Sequence, residues 1–368
     1  MFRDEVKGKL GFGCMRLPMN DNEVDKNEFN RMIDAYMKAG FNYFDTAHGY
    51  IDGKSETAIR DCLSARYNRE EFILVNKLSY WYFEKQEDIV PLFEKQLELC
   101  GVDYFDFYLF HCLNHEGYEK HKKCNTFEVV KKLKEQGKIR HIGMSFHDTA
   151  DYLDLILTEQ PYMEAVQLQI NYLDYDDPTV QSKACYDVAV KHGKKVIVME
   201  PVKGGALADL PDEAAKVIAE LGEGSEASYA LRYAASYPEV FMVLSGMGNM
   251  EMMNDNIKTF KNFTPIDEKD MKTFDTVREI IRRVKQLPCT KCNYCAEVCP
   301  SNIPISEVFA IYNGFMGAKI SRDETKELLS AYHKKIAACI KCGKCEKNCP
   351  QSIRIREELE RIEKIVNS

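Results

Sequence analysis

An α/β chain whose main body is a closed (β/α)8 TIM barrel, followed by a smaller, mostly α-helical domain, is the fold class this sequence predicts, and three observations carry it. Short β-like runs alternate strictly with longer amphipathic helical patterns through the first three-quarters of the 368 residues. Eight such runs fall within roughly 250 residues, which favours a closed parallel barrel over an open doubly wound sheet. After about residue 285 the rhythm stops, cysteine density rises, and Pro288, Pro300, Pro304 and Pro350 punctuate the chain. The expected domains are therefore 1–283 for the barrel and 284–368 for the C-terminal part.

The expected strands are Lys9–Met15, Asn42–Asp45, Phe72–Asn76, Phe105–Phe110, Ile139–Ser145, Ala165–Gln169, Lys195–Glu200 and Val240–Ser245. Between them, Asn27–Ala39, Ser55–Ala65, Ile89–Leu99, Thr126–Gln136, Thr149–Thr158, Thr179–His192 and Glu226–Ser236 repeat apolar residues at helical spacing. Gly40, Gly101, Gly137 and Gly193 stand where a helix stops before the next strand, as C-cap chemistry asks. The stretch from Cys112 to Asn125 reads as a long polar loop bordering the pocket, with His115, Glu116, Tyr118, Lys120 and His121 in it. Beyond the boundary, Ile305–Tyr312 and Asp323–Lys335 read as helices.

Charge and apolar runs exclude several function classes. Lys plus Arg number 50 against 58 Asp plus Glu, for a net charge of −8, and no long basic block exists. That balance argues against nucleic acid as a partner. The longest apolar stretch, Tyr104 to Leu113, contains Asp106 and is about half of a ~20-residue membrane span. No membrane partner is expected. The first residues mix both charge signs and lead into no apolar segment, so a cytoplasmic location is expected.

Fourteen cysteines would suggest disulfides in a small secreted chain, yet eight of them form two identically spaced runs. These are Cys289-x2-Cys292-x2-Cys295-x3-Cys299-Pro300 and Cys339-x2-Cys342-x2-Cys345-x3-Cys349-Pro350. Three thiolates at i, i+3 and i+6 can wrap one cubane, each bound to one iron, with a fourth arriving from elsewhere. Zinc held by four thiolates is the alternative, but closely following third and fourth cysteines and a trailing proline make a poor zinc ribbon. The spacing resembles that of the two-cluster bacterial ferredoxins, in which the fourth cysteine of each run serves the other cluster. By that resemblance one [4Fe-4S] site uses Cys289, Cys292, Cys295 and Cys349, and the other Cys339, Cys342, Cys345 and Cys299. Residues 289–368 carry 13 Lys and Arg against 10 Asp and Glu, an excess that offsets most of the roughly −2 charge of each thiolate-bound cluster. Cys14, Cys62, Cys100, Cys112, Cys124 and Cys185 lack ligand spacing and read as small buried hydrophobes.

A barrel places its chemistry at the C-terminal ends of its strands. There the expected second strand ends at Asp45 and leads to Tyr50, the third ends at Lys77 and the fourth at His111. An acid, a phenol, an ammonium and an imidazole suit carbonyl reduction: a tyrosine with an ordinary pKa near 10 needs a neighbouring cation to serve as a proton donor. Lys77 would be that cation, Asp45 its counter-charge, and His111 the group that orients the carbonyl. Singly, each residue fits a cap, packing, a snorkelling lysine or a core histidine equally well.

With their neighbouring words these residues resemble the aldo/keto reductase family. The words are Phe44-Asp45-Thr46-Ala47-x-x-Tyr50-x-x-Gly53-x-Ser55-Glu56, Asn76-Lys77, Tyr108-Leu109-Phe110-His111 and Ile139-Arg140-His141-Ile142-Gly143-Met144-Ser145. The resemblance runs from about Leu10 to Phe260. It implies a nicotinamide cofactor, carbonyl–alcohol interconversion and the catalytic tetrad Asp45, Tyr50, Lys77 and His111. It also implies cofactor contacts at Gly13, Ser145, Gln167, Met199, Lys203, Ser245, Gly246, Asn249 and Asn256, with Lys203 a candidate for the pyrophosphate. Three departures stand out. Phe146 and His147 follow Ser145 where many members have Asn; Met199 replaces the stacking aromatic; Gly246 and Met252 occupy places where NADPH-selective members carry Lys and Arg.

The expected function is thus an NAD(P)H-dependent oxidoreductase acting on a small carbonyl or its alcohol, with the clusters serving electron transfer or stability. A hydride carries two electrons and a cluster accepts one, so a one-electron carrier protein enters as a partner if the halves exchange electrons. The alternative is an electron-transfer module whose barrel docks a flavin or redox partner, although the sequence carries no flavin fingerprint.

Overall fold

The computed structural model describes residues 5–284, 286–317 and 319–367. Packing divides the chain into two compact units, one comprising Met1–Asp177, Gln181–Pro201 and Ser228–Ile266, the other Pro178–Val180, Val202–Ala227 and Asp267–Ser368. This division differs from a cut at 283/284. The helices Asp212–Ala219 and Glu268–Arg283 pack together in the second unit and bury Ala214, Ile218, Phe274, Val277 and Ile280.

In the first unit eight parallel strands close into a barrel: β1 (Leu10–Gly13), β2 (Tyr43–Asp45), β3 (Ile73–Ser79), β4 (Phe105–Leu113), β5 (Ile139–Phe146), β6 (Ala165–Gln169), β7 (Lys195–Met199) and β8 (Val240–Ser245). Each strand pairs with its sequence neighbours, and β1 closes the ring by pairing with both β2 and β8. A two-residue antiparallel pair, Met19–Asn20 with Glu23–Val24, lies outside the barrel. The strands are buried along nearly their whole length, as parallel strands sheathed by helices must be.

Side chains alternate along a strand with a period of two. Tyr43, Val75, Leu109, Ala165 and Ile197 belong to the apolar cluster inside the barrel. Two residues further along their strands stand Asp45, Lys77, His111, Gln167 and Met199. The barrel interior therefore changes from apolar to polar in one step toward the C-terminal end. The strand ends differ from expectation only locally: β3 runs two residues past Lys77 and β4 two past His111, so both side chains rise from hydrogen-bonded strand. Lys77 pairs with Leu109 and Ser79 with His111 across that seam.

Helices alternate with the strands. Ser55–Ala65 resolves into an α-helix, Lys54–Ile59, continued by a π-turn, Arg60–Ser64. The stretch after β4 is not a loop: His115–Lys123 is a helix capped by Asn114, whose side chain accepts from the Gly117 amide. Tyr118 and His121, three residues apart, lie with Gly117 on its buried face. Gly101 ends the helix Ile89–Cys100 with φ 66, the left-handed conformation that glycine takes most readily.

The cysteine-bearing part of the second unit is helical, with Ile305–Met316, Arg322–Ser330, His333–Ala337 and Ile355–Asn367 joined by two single turns, Tyr294–Glu297 and Lys344–Lys347. Its core contains Ile303, Val308, Phe309, Leu329, Ile336, Leu359 and Ile362, and the cysteines pack against it. Among the described residues no helix is long and apolar enough to cross a membrane.

Candidate active site and cluster sites

At the C-terminal ends of β2, β3 and β4 the structure brings all four expected catalytic residues together. Lys77 is fully buried, and its Nζ donates to Asp45 Oδ1 at 2.6 Å and to the Thr46 carbonyl at 2.8 Å. The same ammonium lies 5.0 Å from the centre of the Tyr50 ring. Tyr50 and His111 meet edge to face at 6.0 Å. Trp81, the single tryptophan, stacks on the other side of His111 with centroids 5.5 Å apart and planes 15° apart.

Burial works against both partners of the Asp45–Lys77 pair, pushing the carboxyl up and the ammonium down, while their contact opposes each shift. The short contact and the second acceptor at Thr46 keep the charged form of Lys77 supplied with partners, and the direction that survives is a lysine below its ordinary range. Asp45 Oδ2 is buried with no hydrogen-bond partner among the described residues. His111 is held well below the usual histidine range, first by burial and then by the Lys77 charge. Its Nδ1 lies 2.5 Å from the Ser79 hydroxyl. Cys112, next in the chain, has φ 55, a strained backbone beside the site, and its amide donates to Ser145 Oγ at 2.7 Å.

Around this centre lies a buried polar frame that reasoning from sequence left without a role. Glu56 is fully buried and accepts from Asn76 Nδ2 at 2.8 Å, while its other oxygen lies 2.7 Å from His48 Nδ1. Asn76 Oδ1 accepts from the Lys77 amide at 2.8 Å and from Gln96 Nε2 at 3.1 Å. Gln96 also donates to the Lys77 carbonyl at 2.9 Å and accepts from Tyr108 OH. Ser55 Oγ, 2.8 Å from Thr46 Oγ1, donates to the Cys14 carbonyl. The words Gly53-x-Ser55-Glu56 and Asn76-Lys77 thus fasten the Tyr50 loop and the Lys77 backbone. The signal was present in the sequence as polar residues at positions that also had to be buried.

The other barrel positions fall on the same rim. Gln167 pairs with Ser145 across β5 and β6, and its Nε2 lies 3.6 Å from Met199 Sδ. Its Oε1 is buried without a partner among the described residues, an acceptor that a primary amide could meet. Gly13 sits where an added Cβ would come 3.3 Å from the Ser245 carbonyl. Asn256 donates to Ser245 Oγ at 2.8 Å, and Asn249 caps the helix Met250–Lys261 by accepting from Met252. At that helix's N-terminus the Met250 amide donates to a carboxylate oxygen of Glu28 at 3.0 Å. A Cβ on Gly246 would come 3.3 Å from the Arg16 side chain. Lys203 is different: it belongs to the second unit, where its buried Nζ donates to Gln351 at 3.0 Å. The hydrogen bond ties it to the cysteine-bearing part of that unit.

In the second unit the two cysteine runs cross. Cys289, Cys292, Cys295 and Cys349 line one cavity; Cys299, Cys339, Cys342 and Cys345 line the other. The first three cysteines of each run and the fourth of the opposite run are therefore brought together. Burial and then the neighbouring sulfurs push the Cys295 thiol up, and burial pushes Cys345 to about 11. Four thiolates so placed need cationic metal among them. Four sulfurs ringing a cavity, three from one run and one from the other, suit a [4Fe-4S] cluster.

Residues 9–279 match the Aldo/keto reductase family, and residues 288–354 match the 4Fe-4S dicluster domain. An aldo-keto reductase of Mycolicibacterium smegmatis is 28% identical over 254 residues, 68% of this chain and 83% of that one. A glyoxal reductase of Bacillus subtilis is 27% identical over 255 residues, 69% of this chain and 84% of that one. Among solved structures, an aldo/keto reductase from Klebsiella pneumoniae in complex with NADP and acetate shares the barrel fold, with a TM-score of 0.59 at 20% identity over 73% of this chain and 90% of that one.

Proposed function

The chain belongs to the aldo/keto reductase family and carries a 4Fe-4S dicluster domain, and from that premise we propose that it reduces a small carbonyl compound to its alcohol at the expense of NAD(P)H. The observation that carries this reading is the fully buried Lys77–Asp45 ion pair set beneath the Tyr50 ring and beside His111.

Bound nicotinamide would supply the hydride. Gln167 and Ser145 would hold its carboxamide, Met199 would cover a ring face, and Gly13, Ser245, Gly246, Asn249 and Asn256 would take the remainder of the nucleotide. The buried, unpartnered Gln167 Oε1 supports that placement, since a primary amide donor would satisfy it. The Tyr50 hydroxyl gives its proton to the carbonyl oxygen as charge develops there. Lys77 favours that transfer through its positive charge, which Asp45 and the Thr46 carbonyl fix in place. With the Ser79 hydroxyl as donor to Nδ1, His111 would donate from Nε2 to the same oxygen. Trp81 holds the imidazole plane and forms one wall for the substrate.

The glyoxal reductase among the relatives makes small aldehydes and α-dicarbonyls the first substrates to try. In the second unit the two crossed cysteine sets would each hold one [4Fe-4S] cluster, for electron transfer to a protein carrier or as staples of a small core. The test is oxidation of NADH and of NADPH by protein purified anaerobically with its iron, against a panel of small aldehydes and ketones. Turnover with at least one carbonyl supports the reading; nucleotide binding without turnover across the panel contradicts it.

A further inference from the structure

The turn Lys203–Gly205 follows β7 in sequence, yet it packs within the second unit among the cysteines. Lys203 and Gly204 have φ 47 and 66, so a lysine stands in a backbone conformation that side chains rarely take. Gly204 lies so close to Thr290 that an added Cβ would sit 2.4 Å from the Thr290 carbonyl oxygen. Thr290 is itself buried, between Cys289 and Cys292 in the chain. The Lys203 side chain is only 5% exposed, and its Nζ donates to Gln351 Oε1 at 3.0 Å. Gln351 lies two residues after Cys349, and both Thr290 and Gln351 line the cavity that Cys289, Cys292, Cys295 and Cys349 ring.

We propose that Lys203 is a built-in positive charge that raises the reduction potential of the cluster held by Cys289, Cys292, Cys295 and Cys349. One-electron reduction takes a four-thiolate [4Fe-4S] cluster from about −2 to about −3, the electron coming from an external one-electron donor. A fixed cation nearby stabilises the more negative state, and burial leaves that attraction poorly screened. Lys203 is a positioning charge and no ligand, so the effect belongs to one cluster of the two. It requires loaded clusters and is independent of the carbonyl chemistry.

The experiment is an EPR-monitored redox titration of the iron-loaded full chain, with dithionite as reductant, comparing wild type with Lys203→Met and Lys203→Arg. Lys203→Met should lower one of the two reduction steps by about tenfold in equilibrium constant, ~59 mV for one electron, and leave the other in place. Lys203→Arg should stay near wild type. Should the methionine variant lose iron, Lys203→Gln decides instead, because a neutral amide keeps a polar side chain there without the charge and should lower the same step. Two unmoved steps, an equal shift of both, or an arginine variant that behaves like methionine would overturn the assignment.

Discussion

Replacing Asp45 with Asn keeps the shape of the side chain and removes only its charge. The carboxylate and the Lys77 ammonium are 2.6 Å apart and buried, a gross attraction of roughly 6 kcal/mol at an effective dielectric of ~20. Breaking a buried pair by changing one partner costs about 3–5 kcal/mol, because the other charge remains without compensation. Asn still offers an oxygen to Nζ, so about 3 kcal/mol is expected, or ~6–12 °C in Tm at 2–4 °C per kcal/mol. The pH dependence identifies the cause. Lys77 already lies below its ordinary range because it is buried, and losing Asp45 drives it lower. Below its folded pKa the lysine is charged in both states and the full burial cost is felt; between that pKa and ~10.4 only the unfolded chain binds the proton, so stability rises with pH. The deficit of Asp45→Asn should therefore be greatest near neutrality and shrink toward about pH 10. Thermal unfolding across that range, followed by circular dichroism, measures it, and kcat/KM at neutral pH should fall by about 10²-fold. A deficit of the same size at every pH, or wild-type turnover, would refute the role of the ion pair.

Other consequences follow from different parts of the chain. Glu164 is pushed up by burial, but hydrogen bonds from His141 and Lys134 and their charges outweigh that and hold it at about 2. Its stabilisation, at most about 3 kcal/mol, is present above an unfolded value near 4.3 and is lost as pH falls toward 2. Glu164→Gln should therefore lower Tm at neutral pH and flatten the acid limb between about pH 5 and pH 2. Glu28 places a carboxylate on the N-terminal amide of the helix Met250–Lys261, so Glu28→Gln should lower the KM for NADPH relative to NADH by about 2–5-fold, the equivalent of 0.3–1 kcal/mol at a helix end. Stripping the iron with a chelator should make the segment after about residue 289 sensitive to limited proteolysis while the barrel fragment persists, since two cysteine sets and a small core share its folding.

Where the sequence was most legible, one rule sufficed. Val240–Ser245 matches its expected bounds because a continuous apolar run bounded by polar residues has few other places to lie, and Ala165–Gln169 because its apolar and polar residues alternate. Asp45, Lys77 and His111 were legible as strand-end polar residues because a period of two continues the inward face of the barrel. The helix His115–Lys123 was not. Gly117, Tyr118 and His121 are its buried residues, and the surrounding Lys, Glu and His residues drown a signal in which Tyr118 alone is strongly apolar. The Glu56–Asn76–Gln96 frame was hidden for another reason: burial turns polar residues into partners across 20 positions of sequence, and spacing does not encode that. The same holds for Lys203. Its hydrogen bond with Gln351 joins residues 148 apart in the chain.

The most direct test of the central claim is a comparison of wild type with Tyr50→Phe, with NADH and NADPH affinity measured separately from turnover of an accepted carbonyl substrate. The account predicts a fall in kcat of about 10³-fold, within the range a positioned general acid contributes, with nucleotide Kd nearly unchanged. Turnover close to wild type in the phenylalanine variant would contradict it.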